Sequence, residues 1–324
     1  MTSEVEKTKK LSQIFFSYSE KRREKLFENE LEPSKEQNYL AHYTTAENAL
    51  KIIKSKTFWF RNTQFMDDYS EVVHGQEMLR QYLQNDNFAN RDKLQNALSK
   101  VDSSVDELNN FNSLWAQVRQ DTYICCFSEH EPKDHAHGRL SMWRGFGKGT
   151  AAVALIFKAP AGGSTTTPVI LSPVSYPKYE DFAVEFDQLI QNIENNQEYL
   201  KNVDPSEITR WVYWALVMAV VSLKHSSFEE EQEWRLLYLP THTSAEKHKL
   251  ESKIVSIGAI PQLIYQFKFQ DSDDSIELNE IIERVIIGPS QYANAIHEAL
   301  IIEMTNSGIE NAEGKVFFSN IPLR

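Results

Sequence analysis

The sequence predicts an α+β fold: a single mixed, largely antiparallel sheet core with packed helices, plus an N-terminal helical extension. Three observations carry that expectation. Short apolar runs with strand composition recur at distant points, among them Thr122–Ser128 (TYICCFS), Ala151–Phe157 (AAVALIF) and Ile281–Gly288 (IIERVIIG). Helical stretches, some long, alternate with them, so the strands must pair non-locally. No repeat, low-complexity tract or dividing linker interrupts the chain, which places an extension at residues 1–35 and one domain at residues 36–324.

The elements follow in order. Leu11, Ile14, Phe15 and Tyr18 share one helical face, Phe27 and Leu31 continue it, and Pro33 ends it. Asn38–Thr44 is a short strand, and Thr44 or Thr45 caps a helix over Ala46–Lys54. Phe58–Arg61 (FWFR) is a second strand, and Met66 opens a helix running to about Gln84. Residues 85–112 are polar and partly helical. After Thr122–Ser128 comes a polar loop, Glu129–Arg139, then Ala151–Phe157, a turn at Pro160–Thr167 and an extended segment, Val169–Tyr176. Phe182–Glu194 and Pro205–His225 read as helices, the second apolar around most of its circumference and therefore a core element. Leu263–Phe269 alternates as a strand, Tyr292–Met304 is a helix, and Lys315–Ser319 is a terminal strand.

Composition narrows the function classes. The 324 residues are 41% hydrophobic and 25% charged, as in a globular protein with a true core, and the net charge of −12 argues against a general nucleic-acid binder. The longest apolar run, Trp211–Val221, is too short to span a bilayer, and the N-terminal MTSEVEKTKK lacks the apolar segment of a signal peptide. The only cysteines, Cys125 and Cys126, are adjacent and face opposite ways on a strand, so no disulfide framework is expected and a cytoplasmic location is.

The chemistry concentrates in Phe228–Pro240 (FEEEQEWRLLYLP), an acidic turn entering a strand. Glu231 and Glu233 share one strand face, and paired carboxylates repel unless a cation, a sugar hydroxyl or a donor lies between them. The competing reading is a structural ion-pair network in which Arg235 meets Glu231 or Asp67. His42 stands near a strand end just before a helix N-terminus, a place suited to ligand contact and equally to a core histidine bonded to backbone. His130, His135, His137 and Asp134 invite a metal reading, but their spacing matches no zinc signature and no metal is expected. Gly145, Gly147 and Gly149 do not form a dinucleotide fingerprint.

Several pieces in order resemble the DUF2971 family, bacterial proteins of uncharacterised function. They are LAHYT with ALKIIKSKTFWFRN and FMDDYSE, then ICCFSE, SMWRGFG, FEEEQEWRLL, RVIIGP at Arg284–Pro289 and SNIPLR at Ser319–Arg324. The resemblance covers nearly the whole chain from Asn38. A weaker one is carried by His42, Ser128 and the Glu231-Gln232-Glu233 triplet, whose order is similar to that of ADP-ribosyltransferase-like proteins.

That second resemblance implies NAD as substrate. Glu233 would stabilise the ribosyl cation and Glu231 would orient or deprotonate the acceptor. His42 would donate to a ribose hydroxyl and Ser128 would support the glutamate. Tyr43 or Trp59 would stack on nicotinamide, with Arg61 or Arg144 on the pyrophosphate and Thr44 and Trp143 completing the wall. It also implies a toxin or antiphage effector modifying protein or nucleic acid, with an antitoxin or other protein partner on the N-terminal helix. The alternative is a non-catalytic nucleotide- or partner-binding sensor module of a defence system. The two differ in space: a transferase needs His42, Ser128 and Glu233 along one open cleft, whereas a binding module has its glutamates closed off by arginines.

Overall fold

A computed structural model describes residues 2–27, 38–66, 69–105, 115, 118–146, 151–159, 169–242, 249–269 and 277–322. Asp67, Pro33, Gly147, Gly149 and the turn expected at Pro160–Thr167 lie outside them. The chain forms two compact units, each assembled from three separate segments. This differs from the linear division at residue 35: Met1–Glu24, Asn62–Thr122 and Ser172–Glu229 make a helical unit, and the remaining segments make a sheet unit.

In the helical unit, the main helices are Thr2–Phe15, Tyr69–Val101, Tyr179–Asn195 and Pro205–Val221. The last begins as its sequence dictates, with Pro205 in the first turn and the Asp204 carboxylate accepting the Ser206 N–H at 2.8 Å. Its apolar circumference is buried, as expected of a core helix. Phe15 on the first helix stacks on Trp211 at 6.2 Å, so the N-terminal helix is an integral wall of this unit. The Tyr82 hydroxyl donates to Asp187 at 2.7 Å, and Gly75 lies against the Val220 carbonyl, where the helices touch backbone to backbone. Helical backbone extends from Tyr69 to Val101, but the left-handed pair Asn87 and Phe88, at φ 54° and 69°, interrupts it just beyond the end expected near Gln84, and Leu94, Ala97 and Leu98 are buried in the part that follows.

The sheet unit is mixed and largely antiparallel. Its strands are β1 (Tyr39–Thr45), β2 (Thr57–Asn62), β3 (Tyr123–His130), β4 (Ala152–Lys158), β5 (Ile170–Pro173), β6 (Glu233–Tyr238), β7 (Glu251–Ile257), β8 (Ile260–Lys268), β9 (Ile282–Ile287) and β10 (Val316–Phe318). Their order is β10-β9-β4-β1-β3-β2-β8-β7, and β6 pairs with both β3 and β5. β10 runs parallel to β9, whereas β1–β3, β1–β4, β3–β6, β4–β9, β2–β8 and β7–β8 are antiparallel.

Alternation gives the sheet two distinct faces. One carries Phe58, Phe60, Phe127, Leu155, Trp234 and Tyr238 into the larger core. The helix Ala46–Ser55 helps to cover it, started by Thr45, whose hydroxyl accepts the Asn48 N–H at 3.3 Å. The other face carries Ala41, Tyr43, Ala154, Ile156 and Ile286, covered by Met142 and Trp143 of the short helix Leu140–Phe146.

Candidate functional site

Two strands position the acidic cluster. β3 and β6 are antiparallel with Ser128 opposite Glu233, Phe127 opposite Trp234 and Cys126 opposite Arg235. Cross-strand partners share a face, so Ser128, Glu233 and Arg235 stand together on the Tyr43 face. Trp234 points the other way, and its indole N–H reaches Glu129 Oε1 at 2.9 Å.

Glu233 and Arg235, two residues apart on one strand, form a fork. Arg235 Nε donates to Glu233 Oε1 at 2.8 Å and Nη2 to Oε2 at 3.2 Å. The residues are 4% and 1% exposed, so both oxygens of the carboxylate are taken by a guanidinium inside the protein. Arg235 meets Glu233, not Glu231. Gln232, at φ 45°, turns the chain just ahead of β6, and Glu231 is half-buried and contributes its carbonyl.

Arg139 ties this region together, and no motif announced it. Its Nε pairs with Asp134 Oδ2 at 3.0 Å; Nη1 donates to Ser128 Oγ at 3.0 Å and to the Glu230 and Glu231 carbonyls at 3.2 and 3.3 Å. Its backbone N–H donates to the Tyr43 hydroxyl at 3.0 Å. The Ser128 hydroxyl in turn donates to the Glu231 carbonyl. Ser128 is therefore a brace between loops. Burial raises the Tyr43 phenol to about 12, against the opposing pull of its Arg139 bond.

His42 is not part of this group. Ala41 faces Ser128 across β1 and β3, so His42, one residue on, points to the opposite face. There its ring lies against Phe58 and Phe127 at 5.3 and 5.5 Å, and Nδ1 donates to the Cys126 carbonyl at 2.8 Å. Burial lowers its pKa, opposed by that backbone bond. The sheet itself separates His42 from Ser128 and Glu233.

Trp59 and Arg61 alternate with Phe58 and Phe60, on the same face as Glu233. Arg61 Nη2 reaches Gln262 Oε1 at 3.4 Å. Trp143 is buried edge-on against Tyr43 at 4.8 Å, with its indole N–H on the His137 carbonyl at 2.8 Å. Thr44 is half-buried beside the capping Thr45, and Arg144 is exposed.

The histidine loop does not converge. His130 Nε2 and His135 Nδ1 share a hydrogen bond at 2.8 Å, His137 Nδ1 donates to the Ser319 carbonyl, and Asp134 is engaged by Arg139. Among the described residues no cluster of three metal-ligating side chains occurs. His130 is 3% exposed; burial, then His135, Arg139 and Arg284, lower its pKa to about 3.

Beside this loop opens a cleft of about 370 Å³, bordered by Leu26, Asn38, Tyr39, His130 and Pro132 and by four charged residues, Lys25, Glu129, Glu131 and Lys133. Glu131 holds Lys25 at 3.6 Å and also pairs with Lys133; both ammonium groups are largely exposed. Burial, then Glu283, raise the Tyr39 phenol, partly offset by Arg284. The cleft sets two cations and two carboxylates around the Leu26, Tyr39 and Pro132 walls, and Lys25 and Lys133 share Glu131.

The family model for DUF2971, described as a protein of unknown function, matches residues 142–236, which bears out that resemblance over Met142, Trp143 and the EQEWR cluster. No curated protein and no solved structure matches the chain. No helix among the described residues is long and apolar enough to cross a membrane.

Proposed function

We propose that the chain is a non-catalytic nucleotide-binding module, with its ligand in the Tyr39–His130 cleft and the Glu233–Arg235 pair kept for structure. The fork carries the reading. A carboxylate that stabilises a ribosyl cation must face the sugar, whereas Glu233 is buried with both oxygens turned to Arg235. The position of His42 on the far face supports the same reading, since ADP-ribosyl transfer from NAD calls for all three residues in one cleft. Lys25 and Lys133 are the groups that would meet a phosphate: each ammonium would exchange part of its contact with Glu131 for a doubly charged group. Tyr39 and Pro132 supply flat walls for a base or ribose.

Thermal unfolding tests this. A nucleotide that binds only the native state at about 100 times its Kd adds about 2.7 kcal/mol. NAD and ATP are therefore expected to raise Tm by several degrees, and Lys133→Glu or Tyr39→Ala to abolish the rise. A panel of nucleotides that leaves Tm unchanged would remove the ligand class, and catalytic turnover of NAD would overturn the whole reading.

A further inference from the structure

β7 and β8 form a hairpin at the end of the sheet away from β10. Gly258 and Ala259 turn it with φ of 59° and 66°, the two positive values that a two-residue type I′ turn requires. Ile257 and Ile260 thus close the turn as a hydrogen-bonded pair, and pairs alternate from there. Val255–Gln262, Lys253–Ile264 and Glu251–Gln266 exchange their backbone bonds inside the hairpin. Ser252, Ile254 and Ser256 direct their N–H and C=O groups outward, away from β8.

Among the described residues no strand takes up that outer edge. Its one protective charge near the middle, Lys253, alternates with Ile254 and so stands on the other face of the strand. β7 contains no proline and shows no register shift against β8, and the one proline of the hairpin, Pro261, sits in β8 opposite Ser256. Ile254 is 73% exposed and stands directly across from Leu263, itself 38% exposed, which makes an uncovered apolar pair beside uncovered backbone.

We infer that β7 is a self-association edge at which a second copy of this chain adds its own β7 antiparallel, about a two-fold axis through Ile254. That register alone matches the strand along its whole length, because Ile254 is the midpoint of Glu251–Ile257. Ile254 then exchanges both backbone bonds with Ile254 of the second copy, and Ser252 with Ser256 of the second copy. The two Ile254–Leu263 pairs meet at the axis and cover each other. Lys253 falls opposite Val255 and Glu251 opposite Ile257, so no like charges oppose. A register one residue back places Lys253 against itself, which repels. One centred on Ser252 calls on the Leu250 N–H, which already donates to the Tyr238 hydroxyl at 3.2 Å.

Sedimentation velocity of the full chain tests the pairing. Wild type is expected to sediment as a dimer at about 100 µM and to dissociate on dilution. Ile254→Pro removes an outward N–H and no bond of the hairpin, so it is expected to weaken dimerisation about 100-fold or more with an unchanged circular dichroism spectrum. Ile254→Lys places two ammonium groups at the axis and is expected to do the same without any backbone change, so it decides the matter if the proline variant fails to fold. A wild type that stays monomeric throughout, or a dimer that survives both changes, overturns the inference.

Discussion

Cutting one side of the Glu233–Arg235 fork should cost far more than cutting both. Arg235→Met takes the forked guanidinium away from the buried Glu233 carboxylate, and Glu233→Gln replaces the carboxylate facing Arg235 with a neutral amide. At 4% and 1% exposure, solvent screens the remaining charge very little, so the first change should destabilise by about 3–5 kcal/mol. The combined Glu233→Leu, Arg235→Met variant removes both charges of the fork together and should recover much of that loss. Hydrogen exchange of the β6 amides, read by mass spectrometry, reports the sheet unit by itself. Protection there should drop by about a hundredfold or more in Arg235→Met and largely return in the double variant. The reasoning fails if Arg235→Met stays within about 1 kcal/mol of wild type, or if the double variant is as damaged as the single.

Two further outcomes follow from burial and packing. His130 takes its proton near 6.5 when unfolded but only near 3 in the native state. The unfolded chain therefore binds more protons between these values, and stability falls as pH drops below 6.5. The loss should reach about 2 kcal/mol by about pH 5, and His130→Phe should flatten the slope of Tm against pH over that range; an unaltered slope would contradict the assignment. Gly75→Ala should destabilise the helical unit by about 1–3 kcal/mol despite the better helix propensity of alanine, because its methyl group would enter the Val220 carbonyl. Urea unfolding followed by circular dichroism checks this, and an unshifted midpoint would count against the close approach.

How much of this was legible beforehand depended on how local the physics was. Ala152–Lys158 and Tyr123–His130 announced themselves, because strands buried on both sides read as unbroken apolar runs. The cap at Thr45 is likewise decided within a few residues. β7 (ESKIVSI) did not register as a strand, since an exposed edge strand carries too few apolar residues to show a period. The division into two interleaved units was hidden for a related reason: each unit is closed by contacts between segments far apart in sequence, with no linker composition to mark the crossings.

The candidate site was half legible. Acidic residues beside Trp234 and Arg235 marked the right strand, and structural pairing with Arg235 was one of the two readings the residues allowed. What sequence could not supply was register. Whether His42 joins Ser128 and Glu233 depends on Ala41, not His42, standing opposite Ser128. A slip of one residue would have reversed the answer. Arg139 carries no pattern, being a single arginine at the end of a polar loop; only the fold brings Ser128, Asp134 and the Glu230 and Glu231 carbonyls around it.

The most direct measurement is the release of free nicotinamide from NAD by wild type and by Glu233→Gln. If Glu233 is a structural half of an ion pair, neither protein releases nicotinamide above the uncatalysed background. Release by wild type that disappears in a folded Glu233→Gln variant would put that carboxylate at a reacting ribose and contradict the account.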